Sequence, residues 1–115
     1  MSTLGQEEFV TGFTLEGCPT EPELVDILLE LIHTIHMTPD GSPDVRCYPN
    51  SNGKGGYGCQ VYQPLTESWV IGGTWEEHKL TRVVISSCKH YMVSTVKDFL
   101  SWKIGKVVTA FRANM

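Results

Sequence analysis

Glu67 and Ser68 open the stretch TESWVIGGTWEE, Thr66 to Glu77, which gathers three carboxylates, two tryptophans and two adjacent glycines. A serine hydroxyl becomes a nucleophile when a neighbour takes its proton. An ionised carboxylate such as Glu77 accepts hydrogen bonds from a pair of hydroxyls. Cys88 lies eleven residues beyond Glu77 and adds a thiol that can give or take a proton. Each of these residues also has a structural reading. Ser68 fits a hairpin hydroxyl, Glu77 a turn residue, and Cys88 an inert thiol closing an apolar strand. Trp75 reads as packing, and Trp69 as a pocket filler or a stacking face for a ring. Gly72–Gly73 reads as a β-bulge or bend, or as space left where a larger side chain would stand.

Other chemistries lack their residues. The four cysteines, Cys18, Cys47, Cys59 and Cys88, contain no CxxC pair and read as separate thiols, not as a disulfide framework. His33 and His36 share a helical spacing, but no further ligands follow at zinc-site intervals, so no metal site is expected. Residues 49–58, PNSNGKGGYG, form a glycine-rich loop without the spacing of a phosphate cradle. The net charge of −4 and the absence of a Lys/Arg cluster argue against nucleic acid as a partner. No apolar run approaches the roughly 20 residues that span a bilayer, and the N-terminus carries no secretory pattern. The expected setting is cytoplasmic, away from membranes.

The elements that would position these residues follow from periodicity. At 115 residues the chain is long enough for one core and is read as one domain, residues 1–115. Residues 7–15 alternate as a strand. Thr20 and Glu23 have capping-box spacing, Pro22 falls in the first turn, and Leu24, Ile27, Leu28, Leu31 and Ile35 mark an amphipathic helix over 21–37. Strands are expected over 45–48, 59–65, 69–75 and 79–87, with the Glu76–Lys79 stretch as a turn. A second helix over 91–103 ends at Gly105, and residues 106–111 close the chain as a strand. The order β-α-β-β-β-β-α-β predicts an α+β two-layer sandwich, a mainly antiparallel sheet with two helices on one face. Its other face needs a cover, and a second copy of the chain, a homodimer, is the simplest one.

On these residues the sequence resembles the short prokaryotic S-adenosylmethionine decarboxylases, whose signature reads E-S-H-L-x-I-H-T-W-P-E. Glu67, Ser68, Thr74, Trp75 and Glu77 match it without a gap, and Cys88 stands where the family has a cysteine. The opening TLG, followed by EFVTGFTLEGC, is similar as well. The resemblance implies a chain that cuts itself between Glu67 and Ser68, leaving Ser68 as a pyruvoyl cofactor. That carbonyl would serve as an electron sink for decarboxylating S-adenosylmethionine, a step of polyamine synthesis. Catalytic roles would fall to Glu67, Ser68 and Cys88, the last as proton donor. Ligand binding would fall to Glu77, on the ribose hydroxyls, with Trp69 and Gly73 beside it.

The sequence departs from the signature where the family's histidine, five residues after the serine, is Gly73. A glycine supplies no base, so self-cleavage and decarboxylation are expected to be impaired unless another group stands in; His78 and His90 are the nearest imidazoles in sequence. Trp69 and Glu76 replace a further histidine and a proline, and Gln60 stands where the family has an upstream serine. Two other readings therefore stand beside the enzyme. One is an uncleaved homologue that binds S-adenosylmethionine or a similar nucleoside. The other is a non-catalytic regulatory or structural subunit.

Overall fold

The computed structural model describes residues 9–49 and 57–114. Six strands, β1 (Phe9–Glu16), β2 (Asp44–Pro49), β3 (Tyr57–Leu65), β4 (Ser68–Trp75), β5 (Leu80–Ser87) and β6 (Val107–Asn114), form one sheet in the order β2-β3-β4-β5-β1-β6. Every pairing is antiparallel. Two helices, α1 (Glu21–Thr34) and α2 (Val93–Lys103), complete the expected α+β sandwich. α1 packs over β3 and β4, and α2 over β1 and β6. Residues 50–56 of the glycine-rich loop, and the Glu7 and Glu8 positions of the first expected strand, lie outside the described residues; Pro49, Tyr57 and Gly58 belong to β2 and β3.

Strand alternation decides which residues meet the helices. Phe13 and Leu15 of β1, Val83 and Ile85 of β5, Val70 of β4 and Val61 and Leu65 of β3 turn inward against Leu24, Leu28, Leu31, Val96 and Leu100. Gly72 belongs to this inner face. A Cβ there would stand 2.9 Å from Leu28 Cδ1 and 3.3 Å from Leu24 Cδ1, so its missing side chain lets α1 lie close on the sheet. The glycine pair makes no bulge: Gly72 pairs Val83 and Gly73 pairs Arg82 in unbroken register.

The outer face carries Val10, Tyr62, Trp69, Ile71, Trp75, Val84 and Phe111, all half-buried or exposed. Among the described residues neither helix covers it. Trp75 is therefore no core residue; it is 44% exposed, with the Arg82 guanidinium 5.7 Å from its ring centre.

Local chemistry sets the boundaries. Thr20 and Glu23 form the expected capping box at the start of α1. The helix ends at Thr34, short of the expected Met37, because His36 takes a left-handed φ of 59° and the Met37 N–H folds back onto the Ile32 carbonyl. α2 starts two residues later than its periodicity indicates. Tyr91 is drawn instead onto Phe9, ring centres 5.0 Å apart, with its hydroxyl against Thr11. Glu76–His78 is a single 3₁₀ turn ending on a left-handed Lys79. Gly105 has φ 158°, and a Cβ there would collide with the Glu16 carbonyl oxygen, so only glycine fits the passage from α2 into β6.

The expectation of four separate thiols is overturned as well. Cys47 and Cys59 are not separate thiols but a disulfide, lying directly opposite each other on β2 and β3. Cys18 and Cys88 remain free, and Cys88 is exposed where a buried thiol was one reading.

Candidate functional site

β3 and β4 are joined by a tight turn at Thr66 and Glu67, with Leu65 opposite Ser68. The segment that follows α1 holds this turn in place. Thr66 N–H donates to the Thr38 carbonyl at 3.1 Å, and Asp40 N–H donates to the Pro64 carbonyl at 2.8 Å. Thr38 N–H donates to Glu67 Oε1 at 3.1 Å. The Lys89 ammonium donates to the His36 carbonyl at 2.5 Å, tying the end of β5 to the same segment. These bonds tie the turn that carries the Glu67–Ser68 bond to the segment after α1.

The carbonyl of that bond has two donors. Cys88 N–H lies 3.2 Å from Glu67 O, and Cys88 Sγ lies 3.5 Å from the same oxygen. Cys88 is aimed there by Ser87, whose hydroxyl accepts Lys89 N–H at 2.8 Å and donates to the Lys89 carbonyl at 2.9 Å. That pair of bonds turns the chain sharply just past β5.

Ser68 has φ 154°, a backbone region that side chains disfavour and that costs of the order of 1–3 kcal/mol. Its hydroxyl donates to Ser86 Oγ at 3.3 Å. Ser86 is a buried residue that cross-pairs with Trp69. Nothing in the sequence pointed to Ser86; its signal is the register of β4 on β5, which places it beside the Glu67–Ser68 bond.

Glu67 itself is held below the usual carboxylate range. Desolvation pushes it up, but hydrogen bonds from the Thr38 N–H, from Thr66 and from its own N–H, together with the Lys89 charge, outweigh that and bring it down.

Within one chain, then, the fold gathers Glu67, Ser68 and Cys88, with Trp69 adjacent on the outer face. It does not gather the rest. Gly73 is five residues along an extended strand from Ser68, roughly 16 Å away at 3.3 Å per residue. Glu77 is exposed in the 3₁₀ turn beyond the far end of β4. A Cβ on Gly73 would sit 3.6 Å from the Trp75 ring, so that indole and Arg82 border the place where an imidazole would project. Of the two histidines near in sequence, His78 shares the far turn with Glu77, and His90 packs its ring 5.9 Å from Phe9. Among the described residues no group of histidine, cysteine and acidic side chains is arranged to hold a metal ion.

No protein-family model and no curated protein matches the chain. Its fold is similar to the crystal structure of the adenosylmethionine decarboxylase from Aquifex aeolicus VF5, with a TM-score of 0.66 and 14% identity, over 96% of this chain and 89% of that one. Among the described residues no helix is long and apolar enough to cross a membrane. The fold resembles that of an S-adenosylmethionine decarboxylase.

Proposed function

We propose that the chain is an S-adenosylmethionine decarboxylase-like protein of polyamine metabolism that cuts itself slowly between Glu67 and Ser68. The observation that carries this reading is the pair of Cys88 donors on the Glu67 carbonyl, next to a serine in a strained backbone conformation. Ser68 Oγ attacks the Glu67 carbonyl carbon. A new C–O bond forms, the C–N bond breaks, and the hydroxyl proton passes to the released nitrogen. Negative charge gathers on the carbonyl oxygen during attack, and the N–H and S–H of Cys88 are placed to receive it. Leaving the disfavoured φ region adds a driving force for the rearrangement.

The next step removes the proton from the Ser68 α-carbon, expelling the Glu67 carboxylate. A positioned base accelerates such a transfer about 10²–10⁴-fold, and Gly73 offers none, which is why the reading is of slow cleavage. The dehydroalanine left at position 68 would tautomerise to an imine, to which water adds and from which ammonia leaves, and the resulting pyruvoyl group would supply a carbonyl electron sink for decarboxylation. Cys88 is exposed beside that position and is suited to return a proton to the product.

The ligand residues require a second molecule. Gly73 and Glu77 lie along and beyond β4 from Ser68, too far to act on it within one chain. Two sheets packed outer face to outer face would bring one copy's Glu77, Trp75 and Gly73 towards the other's Ser68 and Trp69. The half-buried Ile71, Val84 and Val10 at the centre of that face support a homodimer. Glu77 would then accept from the ribose hydroxyls of the substrate, and Trp69 would offer a stacking face.

Intact mass after prolonged incubation tests this reading. Two fragments, the second beginning at a blocked residue 68, support it; an unbroken chain that stays unbroken ends it. Gly73 favours one further reading, an uncleaved homologue that binds S-adenosylmethionine or a similar nucleoside, or that serves as a regulatory partner of an active relative. There Ser68→Ala leaves ligand-induced thermal stabilisation intact, and no shift at millimolar S-adenosylmethionine rules ligand binding out. A size measurement, alone and with an active relative, examines the partner role.

A further inference from the structure

A disulfide and a free thiol lie at the opposite end of the sheet from Ser68. A cleft of about 420 Å³, between the start of α1 and the edge of the sheet, is lined by Cys18, Pro19, Thr20, Cys47, Thr74 and Glu76. Cys47 belongs to the disulfide with Cys59, and the two residues face each other across the narrow edge pair β2–β3, Cα atoms 4.1 Å apart. Thr74 connects this disulfide to the free thiol. Its hydroxyl oxygen accepts the Cys59 N–H at 3.0 Å and also hydrogen-bonds the Cys18 thiol. Cys18 and Cys47 therefore line one cleft, with Thr74 between the Cys18 thiol and the Cys59 backbone.

The two bonded sulfurs differ in access. Cys47 is exposed and lines the cleft, whereas Cys59 is 2% exposed and does not. Thiol–disulfide exchange depends on which sulfur an incoming thiolate can reach and on the leaving sulfur behind it. From the cleft the reachable sulfur is Cys47, and Cys59 leaves.

We propose that this cleft is a thiol–disulfide exchange site, in which a low-molecular-weight thiol forms a mixed disulfide with Cys47 and Cys18 resolves it. In the first step the small thiolate attacks Cys47 Sγ; a new S–S bond forms, the Cys47–Cys59 bond breaks, and Cys59 leaves as a thiolate that takes up a proton. In the second step Cys18 gives up its proton and attacks the same Cys47 sulfur, and the small thiol departs. One disulfide and one protein thiol are present before and after, so no oxidant or reductant is consumed. Cys47 ends bound to Cys18, tying the edge strand β2 to the entrance of α1.

The resting state is consistent with this order. Burial pushes the Cys18 thiol up, and the Glu76 charge adds to that, while Thr74 and Lys79 oppose it. A protonated Cys18 leaves Cys47–Cys59 intact until another thiol has opened it. Once the mixed disulfide exists, the attack by Cys18 is intramolecular, and its high effective concentration compensates for a small thiolate fraction. None of this involves Ser68 or Cys88, so it stands or falls apart from the decarboxylase reading.

The test uses the full chain in glutathione buffers of graded redox ratio, quenched with an alkylating reagent and mapped as non-reduced peptides. The untreated protein should show Cys47 linked to Cys59, with Cys18 and Cys88 alkylated. At intermediate ratios the Cys18–Cys47 peptide should appear, with Cys59 becoming alkylated. In Cys18→Ala the glutathione adduct on Cys47 should exceed that of the wild type, since only the reverse attack by Cys59 then removes it, and no disulfide to position 18 can form. Cys59→Ser, which leaves only Cys18 and Cys47 in the cleft, should form that disulfide directly with oxidised glutathione. The proposal is overturned if the untreated chain lacks Cys47–Cys59, if Cys18 is alkylated at every ratio, if the adduct falls on Cys59, or if Cys59→Ser fails to link the remaining pair.

Discussion

Cys88 directs both its amide N–H and its thiol at the carbonyl oxygen of Glu67, at 3.2 Å and 3.5 Å. Backbone and side chain of one residue thus converge on the oxygen of the one peptide bond whose following residue, Ser68, is a non-glycine at φ 154°. Removing a strong donor to a developing oxyanion typically costs 10²–10³-fold, but a thiol is a weaker donor and the Cys88 N–H survives substitution. Cys88→Ala should therefore slow chain cutting by about tenfold, and Cys88→Ser, which keeps a donor, by less. The fraction of cut chain against time, read by intact mass, gives both rates.

An imidazole placed at position 73 should accelerate cutting, by about 10²-fold if it acts as a base on the Ser68 α-proton. A Cβ at Gly73 meets the Trp75 ring at 3.6 Å, an ordinary contact, so the side chain has room to enter. Because roughly 16 Å of strand separates positions 68 and 73, the face-to-face pairing proposed above has it act on another copy. A Ser68→Ala/Gly73→His double variant cannot cut itself, yet mixed with the wild type it should raise the wild-type cutting rate. No change on mixing, with Gly73→His faster alone, would show a base acting within one chain and would remove the face-to-face pairing.

The neighbouring glycines should respond with opposite sign to the same change. Gly72→Ala sets a methyl 2.9 Å from Leu28 Cδ1 beneath α1, and overpacking of that kind costs about 1–3 kcal/mol. Gly73→Ala meets nothing closer than 3.6 Å on the outer face and gains the smaller unfolded-state entropy of alanine, about 0.5–1 kcal/mol. Chemical denaturation of the two variants separates them.

Much of this architecture was legible because it is local. The Thr20–Glu23 box, the apolar stripe of α1 and the β-branched run of β5 each carry their own signal, and together they gave the sandwich. Helix ends were less legible: His36 adopts a left-handed conformation usually left to glycine or asparagine, and Tyr91 leaves α2 for a stack on Phe9 far away in sequence. The disulfide was missed for a related reason. Cys47 and Cys59 each stand six residues from Gly53, and a hairpin register centred there pairs them, whereas their wide spacing and the absence of a secretory pattern point to separate thiols. At the site, Glu67, Ser68 and Cys88 could be named from their spacing. Ser86, Thr38 and Lys89 could not, because β5 and the segment after α1 reach the Glu67–Ser68 bond only through the tertiary fold.

The clamp on Glu67 should be visible as a pH dependence of stability. Its carboxyl in the folded chain titrates below the unfolded value of about 4.3, because Thr38, Thr66, its own N–H and the Lys89 charge together outweigh desolvation. A group with a depressed folded pKa contributes stability that is present above the unfolded pKa and is lost as pH falls through the folded one. Glu67→Gln keeps an oxygen for the Thr38 N–H but carries no charge for Lys89. The wild type should therefore unfold at a higher temperature than Glu67→Gln at pH 7, and the gap should narrow below about pH 4.3 and close under strong acid. Other carboxylates titrate alike in both proteins and cancel in the difference. Lys89→Met, which removes the opposing charge, should shrink the same gap at neutral pH. A difference between wild type and Glu67→Gln that stays constant from pH 7 to pH 3 would mean that the Glu67 charge contributes nothing to holding the turn.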